Sequence, residues 1–229
     1  MKSNLIVPVA ADKPEYSNRL PYVFALGEDG IIVCIKSILG LPLEQFDNIY
    51  FSILRKHDEL FYIADSLRMQ CKRLALKNVK IVVLDTPTRD QAETIYTTIQ
   101  QERISGSIYI KDADSYFETE DVAKNGVAVF PIEELEMLDP RNKSYVAVDD
   151  MQYITNIIEK SVVGHYISAG GYAFGDSEIF CDYYNRLRHY GRLYLSHIIY
   201  AMLLDKKTFR PFIVKNYKDW GTQRMFGIR

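Results

Sequence analysis

Four short apolar runs, each separated from the next by a helical pattern, constrain the fold more than any other feature of this chain. Leu5–Ala10, Asn48–Leu54, Val79–Leu84 and Ser107–Lys111 read as strands. Between them lie Ile31–Leu39, ending near Gly40 and Pro42, then His57–Leu76, then Arg89–Gln101. The second of these puts Leu60, Ile63, Ala64, Leu67 and Cys71 at helical spacing. The third follows Thr86-Pro87-Thr88, a natural introduction to a helix. Strand, helix, strand, helix is the signature of parallel crossover units with helices on both faces of a sheet.

The second half breaks this rhythm. Val127–Ile132, Tyr145–Val148, Ile154–Glu159 and Gly170–Phe174 read as strands, with a turn at Asp149-Asp150. Asp176–Leu187 and Leu193–Leu204 read as helices and Phe209–Val214 as a last strand. Leu193–Leu204 is apolar on more than one face, which fits a buried helix or a homodimer contact. No linker-like stretch or repeat divides the 229 residues, so a single α/β domain over 1–229 with a mixed, mostly parallel sheet is expected.

Composition removes several function classes. A formal charge of −2 offers no general basic field for nucleic acid. Cys34, Cys71 and Cys181 are too few and too scattered for a disulfide framework or a zinc cluster. His57, His165, His189 and His197 have no ligand spacing, and no Ser/His/Asp or Cys/His nucleophile arrangement emerges. The N-terminal apolar run is too short for a signal peptide, and no run approaches the roughly 20 residues of a membrane span. A soluble, cytoplasmic protein with no membrane insertion is expected.

The chemistry concentrates where the fourth strand ends. Gly106 to Phe117 runs through an apolar alternation into Asp112 and Asp114. Ligands of open α/β sheets bind outside the carboxyl ends of the strands. Carboxylates placed there are hard ligands suited to Mg²⁺ and, through it, to a nucleotide phosphate. A turn-forming Asp pair is the plainer reading. Thr88 or Asp90 is equally a helix cap, Glu159-Lys160 a solvated strand end, and Gly170-Gly171 a bend.

With the element order in hand, the chain resembles the sugar-phosphate nucleotidyltransferases, or nucleotide-sugar pyrophosphorylases, over nearly its whole length. The resemblance implies a Rossmann-like, glycosyltransferase-A-type fold, with a nucleotide half over 1–118 and an acceptor half over 119–229. Leu5 to Ala11 is similar to the family's first strand and the start of its phosphate loop, which implicates Ala10 and Ala11. The family continues with glycines, an arginine and a Pro-Lys pair. Here Ala11 and Lys13 stand at the glycine positions, Glu15 at the arginine, and Pro21-Tyr22 at the pair. Lys13 or Arg19 would then supply the catalytic positive charge.

Other fragments follow in order. Thr86 to Ala92 resembles the nucleotide-contacting segment, implicating Thr86, Thr88 and Gln91. Lys111 to Phe117 resembles the metal-binding aspartate motif, with Asp114 the primary ligand and Asp112 the second candidate. Ile157 to Lys160 and Ala169 to Phe174 resemble the sugar-phosphate segments, implicating Glu159, Lys160, Gly170 and Gly171. Lys218 to Thr222 resembles the closing Asp-x-Gly-Thr segment, whose Asp219 would share Mg²⁺ with Asp114.

What the resemblance implies is transfer of a nucleotidyl group from an NTP to a phosphorylated sugar or small alcohol, with release of pyrophosphate, for surface-polysaccharide precursors. No additional C-terminal acyltransferase-like or repeat domain is expected. Two other readings stand beside it: a nucleotide- or sugar-binding regulatory module without turnover, and a glycosyltransferase of similar fold using Asp112-Ala113-Asp114 as its metal motif.

Overall fold

The computed structural model describes residues 2–12, 19–122, 124–135 and 143–221. Its centre is a row of strands buried on both faces, which is why they are rich in Val and Ile rather than alternating. β1 (Ser3–Val9) pairs in parallel with β2 (Asn48–Leu54) on one side and β4 (Ser107–Lys111) on the other. β3 (Val79–Leu84) lies parallel outside β2. β9 (Tyr166–Phe174) is inserted antiparallel between β4 and β6 (Gly126–Pro131), and β10 (Arg210–Ile213) closes the far edge parallel to β6. β7 (Ser144–Val148) pairs antiparallel with β9 and with β8 (Ile154–Glu159). The sheet is therefore mixed and mostly parallel, as the sequence pattern implies.

Helices cover both faces. α4 (Gln91–Glu102), α5 (Ser177–Leu187) and α6 (Leu195–Leu204) pack Ile95, Ile99, Phe180, Tyr184 and Ile198 against Ile6, Tyr50 and Ile110. The opposite face of the sheet, with Leu5, Phe51 and Tyr109, takes Cys34 and Ile35 of α1 (Val33–Lys36) and Ala64, Leu67 and Cys71 of α3 (Ile63–Arg73).

Three differences from the sequence pattern have clear causes. The helix expected over Ile31–Leu39 is one turn, Val33–Lys36, succeeded by further turns to Leu41. The helix expected over His57–Leu76 is two: α2 (Arg55–Phe61) stops where Tyr62 takes φ 53°. Asp58 makes that break work, because its carbonyl accepts from the Tyr62 amide and its carboxylate from the Ala64 amide at 2.7 Å. Finally, β5 (Ser115–Glu118) and β11 (Lys215–Asp219) form a separate antiparallel ribbon with Asp219 opposite Ser115. This ribbon carries Asp219 back to the end of β4.

Candidate active site

β4 delivers Asp112 and Asp114 to a tight turn beyond its carboxyl end, and a buried cation braces that turn. The Lys111 ammonium donates to the carbonyls of Asp112 and Ser115 and to the Ser115 hydroxyl, each at 2.8 Å. It is fully buried, and burial pulls its pKa down to about 8. The turn is fixed from outside as well. The Asp112 amide donates to the Gly170 carbonyl, and the Ser115 hydroxyl donates to the Ala169 carbonyl at 2.9 Å.

Two cavities meet at this turn. One, of about 440 Å³, runs between β7, β8 and β9 and includes Asp112, Asp114, Glu159, Lys160, Gly170 and Asp219 in its wall. The other, of about 420 Å³, lies over the carboxyl end of β1 and the start of α4, with Ala11, Tyr22, Thr88 and Arg192 in its wall. Gln91, Asp112 and Asp114 belong to both. Gln91 donates its amide to Asp112 Oδ1 at 2.6 Å, and Tyr22 donates its hydroxyl to Asp114 Oδ2 at 2.9 Å. Burial, with Asp114 beside it, pushes the Asp112 carboxyl up to about 6.

Asp219 arrives from β11. The Trp220 amide donates to the Asp114 carbonyl at 2.7 Å, which locks the two segments together. A carbon built at the Cβ position of Gly221 would lie 3.0 Å from Asp219 Oδ1 and 3.5 Å from Asp114 Oδ2. The two carboxylates thus face one gap beside Gly221. Among the described residues no cluster of three or more His, Cys, Asp or Glu side chains forms a ready-made metal cage. Mg²⁺ seldom needs one, since it binds through one or two carboxylates plus substrate phosphates. The Asp114–Asp219 gap fits that mode.

No protein-family model and no curated protein sequence matches the chain. Solved structures do. A nucleoside-diphosphate-sugar pyrophosphorylase from Vibrio cholerae RC9 superposes with a TM-score of 0.79 at 17% identity, over 97% of each chain. A UDP-glucose pyrophosphorylase complexed with UDP-glucose gives 0.74 at 11% identity, over 99% of this chain and 96% of that one. An inositol-1-phosphate CTP transferase from T. maritima gives 0.70 at 14% identity, over 95% and 87%. The chain has the nucleotide-sugar pyrophosphorylase fold.

Within the pyrophosphorylase fold, the residues singled out from sequence separate into those that meet and those that do not. Asp112, Asp114, Asp219, Gln91, Glu159, Lys160 and Gly170 share the first cavity, and Ala11 and Thr88 line the second. Glu159 accepts from the hydroxyls of Ser144 and Ser196, and Lys160 lies 3.4 Å from the Tyr194 hydroxyl. Gly171 belongs to the other face of β9: a carbon at its Cβ position would strike Tyr109 and Phe117 in the core, so it contacts neither cavity. Ala10 is likewise a core residue, and Thr86 and Arg19 are exposed and outside both cavity walls. Lys13, Glu15 and Thr222 lie outside the described residues. Asp90 caps α4 by accepting from the Glu93 amide, and also accepts from the Leu193 amide at 2.9 Å, tying α4 to the segment before α6.

Four site residues carried no sequence signal. Lys143 donates to Asp219 Oδ2 at 2.6 Å and to the Tyr217 hydroxyl at 2.8 Å. Burial opposes its charge, but Tyr217 and Asp219 outweigh this and hold the ammonium above the usual lysine range. Arg192 and Tyr194 stand on the segment before α6, one in each cavity wall, with the guanidinium 5.7 Å from the Tyr194 ring centroid. Each is an isolated residue in sequence, placed at the site by long-range packing.

Proposed function

We propose that this protein is a Mg²⁺-dependent nucleotidyltransferase that joins an NTP to a sugar phosphate or a small phosphorylated alcohol and releases pyrophosphate. The observation that carries this reading is the meeting of two cavities at one acidic turn, with Asp219 facing Asp114 across a gap. The cavity over β1 and α4 would hold the NTP, and the cavity between β7, β8 and β9 the acceptor.

An oxygen of the acceptor phosphate attacks the α-phosphorus as the bond from that phosphorus to the bridging oxygen of pyrophosphate breaks. The leaving pyrophosphate keeps the electron pair. The nucleophile is already anionic, so no strong base is needed, and catalysis rests on positioning and charge neutralisation. Mg²⁺ held by Asp114 and Asp219 would neutralise charge between the phosphates. Arg192 would steady the leaving pyrophosphate, the role that the resemblance gives to Lys13. Lys160 would hold the acceptor phosphate, and Glu159 the acceptor hydroxyls. Thr88 and Gln91 at the start of α4 would position the nucleotide, and Gln91 also orients Asp112.

One feature favours a second reading, a nucleotide-binding module without turnover. Tyr22 stands where the resembling family has a lysine, and it donates to Asp114 instead of offering charge to phosphate. Pyrophosphate release from each of five NTPs, against a panel of sugar phosphates and phosphorylated alcohols, separates the two. Release with at least one pair supports the transferase. NTP binding by calorimetry without release from any pair supports the module and overturns the transferase.

A further inference from the structure

Lys143 holds a position that the transfer reaction does not by itself require. Its ammonium bonds Asp219, the carboxylate assigned to the metal, and is anchored on its other side by the Tyr217 hydroxyl. Its side chain is only 16% exposed, so it is not a passing surface contact. Among the described residues no other Lys, Arg or His lies within ion-pair distance of Asp112, Asp114 or Asp219. Four carboxylates, Asp112, Asp114, Glu159 and Asp219, share the wall of one cavity, and like charges in one site repel. Lys111 offsets part of this repulsion from within the turn, and Lys143 is the cation bonded directly to one of the carboxylates, Asp219.

We propose that Lys143 is the resident counter-ion of the metal site and competes with the divalent cation for Asp219. The proposal rests on the reading of Asp114 and Asp219 as metal ligands. A divalent cation arriving alone must displace an ammonium already bonded to one of its two carboxylates, and among the described residues no cluster of three or more ligating side chains stands ready to compensate. A cation arriving on a triphosphate brings phosphate oxygens with it. Those oxygens complete its coordination and give the displaced ammonium an anion to face. Lys143 therefore makes metal binding depend on the nucleotide: the site takes the metal–NTP complex and discriminates against the free ion.

The test is calorimetric titration of the whole chain with Mn²⁺ alone, then with Mn²⁺ and NTP together. Lys143→Met is expected to bind free Mn²⁺ at least tenfold tighter than wild type, and Tyr217→Phe, which loosens one anchor of the ammonium, two- to fivefold tighter. Lys143→Arg, which keeps the charge, should stay near wild type. Adding Asp219→Asn to Lys143→Met should erase the gain. Circular dichroism checks that each variant folds, and Tyr217→Phe carries the test should Lys143→Met not fold. Free Mn²⁺ binding unchanged within twofold in both variants, while wild type still binds Mn²⁺–NTP through Asp219, overturns the role of Lys143 and leaves the metal site standing. Loss of Asp219-dependent Mn²⁺–NTP binding in wild type itself overturns the metal site, and the role of Lys143 with it.

Discussion

Replacing Gly170 by alanine is expected to damage stability and the candidate site together, because one added methyl group meets the acidic turn. Gly170 has φ 87°, a conformation in which a side chain costs about 1 kcal/mol. Its Cβ would lie 2.7 Å from Asp112 Oδ2, 2.7 Å from the Ser115 hydroxyl and 2.9 Å from Asp112 Cβ. Ordinary contacts sit near 3.5 Å or beyond, so Asp112 or β9 must give by about half an ångström or more. Overpacking of this kind costs about 1–3 kcal/mol. The sum is about 3 kcal/mol, and at about 2–4 °C per kcal/mol for a chain of this size the melting temperature should fall by about 6–12 °C. Gly30→Ala is the matched control. Its φ is 72°, but nothing lies within 4 Å of its Cβ position, so only the backbone strain remains and the fall should be about 2–4 °C. Thermal unfolding and Mn²⁺–NTP calorimetry read both consequences. Equal melting temperatures for the two variants, with metal–nucleotide affinity intact in Gly170→Ala, would refute the contact between Gly170 and the acidic turn.

Asp112→Asn should stabilise the metal-free protein near neutral pH. Burial and Asp114 raise the Asp112 carboxyl to about 6 in the folded state, so as pH rises through that value the wild type loses stability that Asp112→Asn keeps; the advantage of Asp112→Asn should be present near neutral pH and lost toward pH 4, readable by urea unfolding in chelator. Asp90→Ala removes both the cap of α4 and the partner of the Leu193 amide, and urea unfolding should show a loss of about 2–4 kcal/mol. Arg192→Ala should raise the KM for NTP by about tenfold with a smaller change in kcat, and flatten the dependence of KM on salt, if Arg192, in the wall of the second cavity, holds the nucleotide phosphates as proposed.

The parallel half was legible because β1, β2 and β4 are largely buried on both faces and β3, at the edge, is still mostly apolar, so all four are written as short apolar runs. β2, β3 and β4 have the bounds that the sequence implies. The position of Asp112 and Asp114 just beyond β4 was legible because a strand end is a local feature. The break at Tyr62 was not, since neither glycine nor proline marks it and the apolar spacing runs straight through it. The β5–β11 ribbon was hidden because each strand is short, partly polar and paired only with a distant partner. Gly171 was misassigned because neighbouring residues of a strand point to opposite faces, and two adjacent glycines do not say which face is the site. Lys143 was invisible because its meaning comes entirely from Asp219, on another strand, and from the anchor that Tyr217 provides.

Phosphorus NMR of the complete reaction, NTP with Mg²⁺ and the phosphorylated acceptor selected by the panel, tests the central claim most directly. Wild type is predicted to give pyrophosphate and a new nucleoside diphosphate ester in equal amounts, with both lost at least a thousandfold in Asp114→Asn and Asp219→Asn, as expected when electrostatic groups at the reacting phosphates are removed. Formation of nucleoside mono- or diphosphate by hydrolysis without the ester, or full ester formation by Asp114→Asn, would contradict it.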